Sequence, residues 1–286
     1  MEIIVGKLSG FCAGVENTIK KAKEALEENE KVYCIGEIVH NERVIKGLEA
    51  NGMITVQSIE EVPNGSKVIF RAHGEAKKVY SRARELNLQV IDLTCGKVRI
   101  IHREVEKRHK DTFILIIGKK IHPEIIGTKG FAGENSFVIE NEDDILKAFD
   151  RYKESGLKKI YVVSQTTFSN SKFKILTDVI KNTFKATEIE INNTICDATE
   201  KRQLEVEELS KKVTKMFIIG GKNSSNTKEL AEIAKKNCKD VFLIQEVDDL
   251  KEAKVNKEDI VGIMSGASTP KEIIDEVKQA IIAQEM

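Results

Sequence analysis

The sequence lacks an excess of charge of either sign. Its 286 residues include 46 lysines and arginines and 46 aspartates and glutamates, which gives a formal net charge of +0 at pH 7. Proteins that bind nucleic acid or an anionic membrane over a broad face normally carry a surplus of basic residues. We therefore expect neither partner, and we expect any anionic ligand to be held by local groups.

Long hydrophobic runs are missing as well. The longest is the segment FILII at residues 113–117, whereas a membrane span takes about 20 residues. The chain opens directly into EIIV at residues 2–5, without the basic and apolar regions of an export signal. These absences favour a globular cytoplasmic protein.

Cysteine is scarce, and its spacing excludes the common cysteine frameworks. The five cysteines are odd in number and widely scattered, and no two form a CxxC pair. An odd, scattered set argues against a disulfide framework. In a reducing cytoplasm, such cysteines more often bind a metal or take part in catalysis.

Nucleotide-binding motifs are also absent. The segment GGKNSS at residues 220–225 is not a P-loop, because the glycine required five residues before Gly221 is Met216. The chain contains no GxGxxG, so a tightly held dinucleotide is not expected.

What the sequence does contain is a threefold repeat centred on Cys12, Cys95 and Cys196. Each of the three follows an apolar strand pattern and precedes a charged run with helical periodicity. Cys34 lies within a predicted strand and Cys238 at a predicted helix end. We interpret these last two as packing residues.

Each repeat continues with two further strand-to-helix turns. The first turn, 28, 27 and 28 residues after the cysteines, carries His40, His122 and Ser224. The second turn, another 33, 44 and 44 residues along the chain, carries His73, Thr166 and Ser268. A further short strand is predicted between the two turns of each repeat.

Strands that alternate with amphipathic helices predict an α/β fold made of parallel sheets flanked by helices. We expect three pseudo-threefold-related domains at residues 13–94, 95–195 and 196–286, around a central metal cluster. The strands before Cys95 and Cys196 each end one domain, so the strand at residues 2–5 should join the sheet of the third. Ligands of parallel sheets bind at the carboxyl ends of the strands, where all the repeated residues fall.

Three thiolates from three repeats suit an iron–sulfur cluster, which accepts widely separated cysteines. A four-iron cluster held by three cysteines would keep one iron open to a substrate oxygen. Zinc remains an alternative, although structural zinc sites usually take four ligands in close pairs.

The histidine, serine, threonine and asparagine side chains at the other turns indicate an anion site. Helix N-termini present unpaired N–H groups and a positive dipole end. Any one of these residues could equally be a helix cap; their repetition favours a ligand. Glu124 follows His122 by two residues and is either a proton donor or a carboxylate that stabilises the helix start.

Several motifs together resemble the 4-hydroxy-3-methylbut-2-enyl diphosphate reductase family. They are GFCAGV, VHN, AHG, HPExxGT, QTT, ICxATxxRQ, KNSSN and GASxP, and they run from residue 10 to about residue 270. The resemblance implies three α/β domains around a [4Fe-4S] cluster. It also implies reductive dehydroxylation of the allylic diphosphate to isopentenyl and dimethylallyl diphosphate, with ferredoxin or flavodoxin as electron donor.

The resemblance assigns roles to the repeated residues. The cluster would be bound by Cys12, Cys95 and Cys196. Thr166 and Glu124 would contact the substrate hydroxyl, with Glu124 delivering a proton. The diphosphate would be held by His40, His73, His122, Ser224, Ser225, Asn226 and Ser268.

Two residues depart from the family pattern: Gly96 stands where proline is frequent, and Lys119 where histidine is frequent. Two other functions remain open from the residues alone. A non-catalytic iron–sulfur sensor of a phosphorylated metabolite would keep the cysteines but would need no acid beside the anion site. A zinc hydrolase of phosphorylated substrates would contain zinc and no iron.

Overall fold

The computed structural model describes residues 1–27, 31–184 and 188–284. Strands and helices alternate along nearly the whole of this part of the chain. None of the helices in it has the length and apolar character that crossing a membrane requires.

The regular elements are twelve strands and ten α-helices within the described ranges. The strands are β1 Glu2–Val5, β2 Val32–Ile35, β3 Met53–Val56, β4 Lys67–Phe70, β5 Gln89–Asp92, β6 Thr112–Ile117, β7 Ser136–Ile139, β8 Lys159–Ser164, β9 Glu188–Ile191, β10 Lys215–Ile219, β11 Asp240–Ile244 and β12 Ile260–Ser265. The helices are α1 Ala13–Glu27, α2 Glu42–Glu49, α3 Lys77–Glu85, α4 Gly96–Arg108, α5 Pro123–Ala132, α6 Asp143–Ser155, α7 Asn170–Thr183, α8 Asp197–Ser210, α9 Ser225–Lys235 and α10 Lys271–Ala283. Short 3₁₀ helices lie at Ile59–Glu61 and Val247–Glu252.

The strands form three four-stranded parallel sheets of equivalent order. The orders are β3-β2-β4-β5, β7-β6-β8-β9 and β11-β10-β12-β1. The predicted class, parallel sheets flanked by helices in three repeats, is therefore confirmed. In the third sheet β1 takes the place that β5 and β9 take in the other two.

The first strand pairs with the last. Glu2 to Val5 lie opposite Ile260 to Ile263 in parallel register, so residues 2–5 lie in the sheet expected for them. The chain forms two compact units: one comprises Met1–Ile19, Val39–Leu48 and Asp197–Met286, and the other Lys20–Ile38 and Glu49–Cys196. The boundaries 13–94, 95–195 and 196–286 remain a prediction.

The first unit packs helices on both faces of its sheet. Alternate residues of β10 face opposite sides: Phe217 joins the cluster that contains Val277 of α10, and Ile218 joins the one that contains Leu230 of α9. Both faces are apolar, as is typical of a parallel sheet covered on two sides. Each fully buried side chain of this size contributes about 1.5–3 kcal/mol.

The second unit contains the other two sheets. The central strand β6 is buried along its whole length. Its Ile114 and Ile116 pack with Ile101 of α4 and Ile125 of α5. Pro123 occupies the first turn of α5, where its missing N–H costs nothing. This packing fixes the starts of α4 and α5, which carry Cys95 and His122.

Removal of residues 1–5 tests the role of β1. Because β1 is hydrogen-bonded to β12, we expect amide hydrogen exchange in residues 260–265 to accelerate by about tenfold or more. Exchange in residues 112–117 should stay unchanged, since β6 pairs only with β7 and β8. Equal loss of protection in both strands would contradict this account.

Candidate active site

The three repeat cysteines occupy the same backbone position in their sheets. Each donates its N–H to a carbonyl that lies two residues past the end of the neighbouring strand. The bonds are Cys12 to Ala267 at 3.1 Å, Cys95 to Ala72 at 3.0 Å and Cys196 to Thr166 at 2.9 Å. The repeat inferred from sequence is therefore present in the backbone geometry.

The side chains of the five cysteines divide as the repeat predicts. None of the five forms a disulfide in the described structure, and Cys12, Cys95 and Cys196 are partly exposed whereas Cys34 and Cys238 are buried. Burial raises the pKa of the Cys34 thiol to about 12 and also raises that of Cys238. A cysteine binds metal as the thiolate, which burial disfavours at Cys34 and Cys238. Cys12, Cys95 and Cys196 remain the predicted ligands of a cluster.

In the second unit, α5 presents a histidine and a glutamate at its start. His122 is the N-cap, and its Nδ1 accepts a hydrogen bond from the Glu124 N–H at 3.2 Å. The helix-cap interpretation thus holds for His122. The His73 ring stands perpendicular to the His122 ring, with centroids 5.3 Å apart.

Glu124 is buried and bound twice to one residue. Its Oε1 accepts from the Thr166 N–H at 2.6 Å, and its Oε2 is 2.7 Å from the Thr166 hydroxyl, which donates to it. Burial raises the pKa of Glu124 from 4.5 to about 7, although the bonds from Thr166 oppose the shift. A carboxyl that titrates near neutral pH is suited to giving up a proton.

Thr166 connects this acid to a cysteine. Its N–H and hydroxyl donate to Glu124, while its carbonyl accepts from the Cys196 N–H. It lies two residues after its strand, whereas His73 and Ser268 lie three residues after theirs. The sequence intervals from His122 to Thr166 and from Ser224 to Ser268 are both 44 residues, so they do not reveal this offset of one residue.

In the first unit, several buried polar side chains lie at the start of α9. Ser224 caps the helix, its Oγ accepting from the Thr227 N–H at 3.3 Å; such a cap is worth about 1 kcal/mol. Ser225 and Asn226 follow it and are also buried. Both Asn226 side-chain atoms, Nδ2 and Oδ1, are buried without a hydrogen-bond partner among the described residues. Buried polar atoms normally have partners, so this amide is a candidate group for binding a ligand.

His40 lies in the same unit, against two of these turns. Its carbonyl accepts from the Ser268 hydroxyl at 3.4 Å. A side chain at Gly221 would come within 2.2 Å of that carbonyl oxygen, so only glycine allows this approach. Asn41, which sequence reasoning missed, accepts from the Val44 N–H at the start of α2.

Sequence reasoning also missed a largely buried ion pair between residues on either side of His73 in the sequence. Arg71 and Glu75 form this pair, with Nε and Oε1 3.4 Å apart and side chains only 14% and 11% exposed. The spacing of four residues between these opposite charges is the sequence signal that could have predicted the pair. His102 is a buried packing residue that stacks on Phe131 with centroids 4.5 Å apart.

The two departures from the family pattern replace none of these contacts. Gly96 is exposed and begins α4 directly after Cys95. The backbone N–H of Lys119 donates to the Gln165 Oε1 at 3.1 Å.

Comparison with known proteins identifies the family of this chain. The family model for LytB protein matches residues 3–282. The chain belongs to the LytB family. The resemblance inferred from the motifs is thereby confirmed.

Individual relatives of this family are similar along nearly their whole length. The 4-hydroxy-3-methylbut-2-enyl diphosphate reductase of Thermoanaerobacter sp. (strain X514) is 38% identical over 286 residues, covering 98% of this chain and 96% of the relative. The reductase of Clostridioides difficile (strain 630) is 35% identical, covering 97% of this chain and 98% of the relative.

Two solved structures of this enzyme are similar in fold. The reductase from Plasmodium falciparum matches with a TM-score of 0.88 at 30% identity, covering 99% of this chain and 87% of that one. A structure of (E)-4-hydroxy-3-methyl-but-2-enyl diphosphate reductase, described as the terminal enzyme of the non-mevalonate pathway, matches with a TM-score of 0.70 at 35% identity. It covers 99% of both chains.

The raised pKa of Glu124 makes stability depend on pH. A carboxyl whose pKa is higher in the folded state binds its proton more tightly there. Its stabilisation is complete below the unfolded value of 4.5 and is lost as the pH rises through about 7. Glu124→Gln mimics the protonated form and removes this titration. The unfolding free energy of the unaltered protein should therefore fall relative to Glu124→Gln across this range, by on the order of 3 kcal/mol.

Urea unfolding of both proteins between pH 4 and 8 measures this difference. The matched control is Glu42→Gln, at the same place in the first repeat, because Glu42 is exposed and paired with Lys46. A constant difference between the unaltered protein and Glu124→Gln at every pH would contradict the raised pKa.

Proposed function

We propose that this protein reduces 4-hydroxy-3-methylbut-2-enyl diphosphate to isopentenyl and dimethylallyl diphosphate in the cytoplasm, with a [4Fe-4S] cluster bound by Cys12, Cys95 and Cys196. The reaction consumes two electrons and two protons, breaks the bond between carbon and the allylic hydroxyl, and releases water. When bound, the cluster supplies the electron chemistry and a Lewis-acid iron. The protein residues hold the substrate and supply the first proton.

One observation carries the proposal: Thr166 touches both the buried acid and a cluster cysteine. Its hydroxyl lies 2.7 Å from Glu124 Oε2, and its carbonyl lies 2.9 Å from the Cys196 N. A proton leaving Glu124 through the Thr166 hydroxyl therefore arrives at the turn that holds a cluster ligand. A phosphate sensor needs neither a buried acid with a pKa near 7 nor this connection.

Binding of the diphosphate falls to the polar turns. In one unit His40, Ser224, Ser225, Asn226 and Ser268 would donate to phosphate oxygens, with Asn226 the strongest candidate because its buried Nδ2 has no hydrogen-bond partner in the described part of the chain. In the other unit His73 and His122 would add imidazole N–H groups. The starts of α5 and α9 add backbone N–H groups and the positive ends of their dipoles.

Electrons come from a separate redox protein, for which we propose a ferredoxin or flavodoxin. The chain has no dinucleotide-binding motif, so it is not expected to take hydride from a nicotinamide. Five cysteines without a disulfide among the described residues fit a reducing cytoplasm.

The direct test is anaerobic turnover of the iron-loaded protein with the diphosphate substrate and reduced methyl viologen, with both products measured by mass spectrometry. We expect both isoprenoid diphosphates to form. Glu124→Gln should keep its iron and its affinity for inorganic diphosphate but turn over about 10²- to 10⁴-fold more slowly, as expected for loss of a positioned acid.

Glu42→Gln is again the matched control and should turn over at the unaltered rate. Unchanged turnover in Glu124→Gln would reduce Glu124 to a carboxylate at a helix start. A protein that contains zinc instead of iron and forms neither product would overturn the proposed function.

A further inference from the structure

The three helices that follow the repeat cysteines differ in charge at equivalent positions. Four residues after the cysteine, α1 and α8 carry glutamate where α4 carries arginine. Twelve residues after it, both again carry glutamate where α4 carries lysine. These exposed side chains are Glu16, Glu200 and Arg99, and then Glu24, Glu208 and Lys107.

The basic residues in the first turn of α4 oppose local stability, whereas Lys107 lies in the last turn, where the helix dipole favours it. The first turn of α4 contains no acidic residue and includes Lys97 and Arg99, whereas the first turns of α1 and α8 contain acidic residues. The positive dipole end of a helix favours acids and disfavours bases in its first turn. A local preference broken in only one of three repeats indicates a functional demand.

We define the α4 basic face as Arg99, Ile100, Arg103 and Lys107, which recur at helical spacing on one side. Ile100 is 57% exposed, and the three basic residues around it are exposed too. Three acidic residues lie nearby. Glu106 pairs with Lys77 and Glu104 with Arg108, and neither of these partners belongs to the face. Asp92 pairs with Arg99, which does. An exposed apolar residue ringed by cations is the composition of a protein contact.

A cavity of about 340 Å³ extends this positive region beside the α4 basic face. Four basic side chains line it against two acidic ones. The basic ones are Lys77, Arg84, Arg99 and Arg103, and the acidic ones Asp92 and Glu106. It can receive a carboxylate side chain from a partner.

We propose that a small acidic electron-transfer protein docks on the α4 basic face to reduce the cluster. This rests on the proposed function, because it takes Cys95 as a cluster ligand. Ile100 is five residues from Cys95, or about 7.5 Å along the helix axis. Each encounter oxidises the donor by one electron and reduces the cluster by one, so a turnover takes two encounters. Opposite charges speed such encounters by about 10- to 10³-fold.

The test is stopped-flow reduction of the iron-loaded protein by a reduced acidic ferredoxin, without substrate. Because no substrate is present, the result is independent of whether product forms. Arg103→Glu combined with Lys107→Glu should lower the second-order rate at least about tenfold at low salt, and should flatten its dependence on ionic strength. Reduction by methyl viologen, a small cation, should change less than about twofold.

The matched control is Lys174→Glu combined with Lys181→Glu on α7, an equal change in charge at two exposed lysines of the same unit. It should leave the ferredoxin rate within about twofold of the unaltered value. Ile100→Ser should lower the rate of reduction by ferredoxin and leave the rate of reduction by methyl viologen unchanged.

The proposal would be overturned if ferredoxin reduced the unaltered protein and the α4 variant at equal rates. It would also be overturned if the α7 control slowed this reduction as much as the α4 variant does. If the α4 variant also slowed viologen, the milder Arg103→Gln with Lys107→Gln would decide. If that variant is reduced more slowly by ferredoxin but not by viologen, docking on α4 is supported. If its reduction by ferredoxin is not slowed, the proposal is overturned.

Discussion

The backbone hydrogen bond at each repeat cysteine is the constraint on which the site depends. The loops before Cys12, Cys95 and Cys196 contain six, two and four residues after their strands. In each case the cysteine N–H nevertheless reaches the carbonyl two residues beyond the neighbouring strand. The parallel sheet order therefore sets the position of the cysteine, and the loop only has to be long enough. The pairing of β1 with β12 positions Cys12 in the same way. Without that pairing, Cys12 would lose the backbone arrangement that Cys95 and Cys196 have.

Burial then separates chemically identical residues into different roles. Glu42 and Glu124 occupy the same place in successive repeats, two residues after His40 and His122. Glu42 is exposed and paired with Lys46, whose ammonium lowers its pKa by hydrogen bonding and by charge. Glu124 is enclosed, and burial raises its pKa to about 7. The threefold fold supplies three similar helix starts, and the surroundings of one of them raise the pKa of its carboxyl to about 7.

Much of this could be predicted from the sequence because it follows from periodicity. Alternating apolar strands and amphipathic helices fixed the fold class, and the recurring cysteine context separated Cys12, Cys95 and Cys196 from Cys34 and Cys238. The burial of Glu124 could not be predicted, because it depends on which side chains close around the α5 start. The offset of Thr166 and the Arg71–Glu75 pair also escaped prediction, since strand ends and ion pairs across a turn are set by packing. The two compact units group residues distant in sequence, which no local pattern reveals.

The central claim is that the three repeats hold one iron–sulfur cluster through one cysteine each. The most direct measurement is the iron content per chain of five single cysteine-to-alanine variants, purified anaerobically beside the unaltered protein. We predict that Cys12→Ala, Cys95→Ala and Cys196→Ala lose most of their iron. Cys34→Ala and Cys238→Ala should keep it, because those buried thiols serve only packing. Loss of iron from Cys34→Ala, with full iron in Cys196→Ala, would contradict the account.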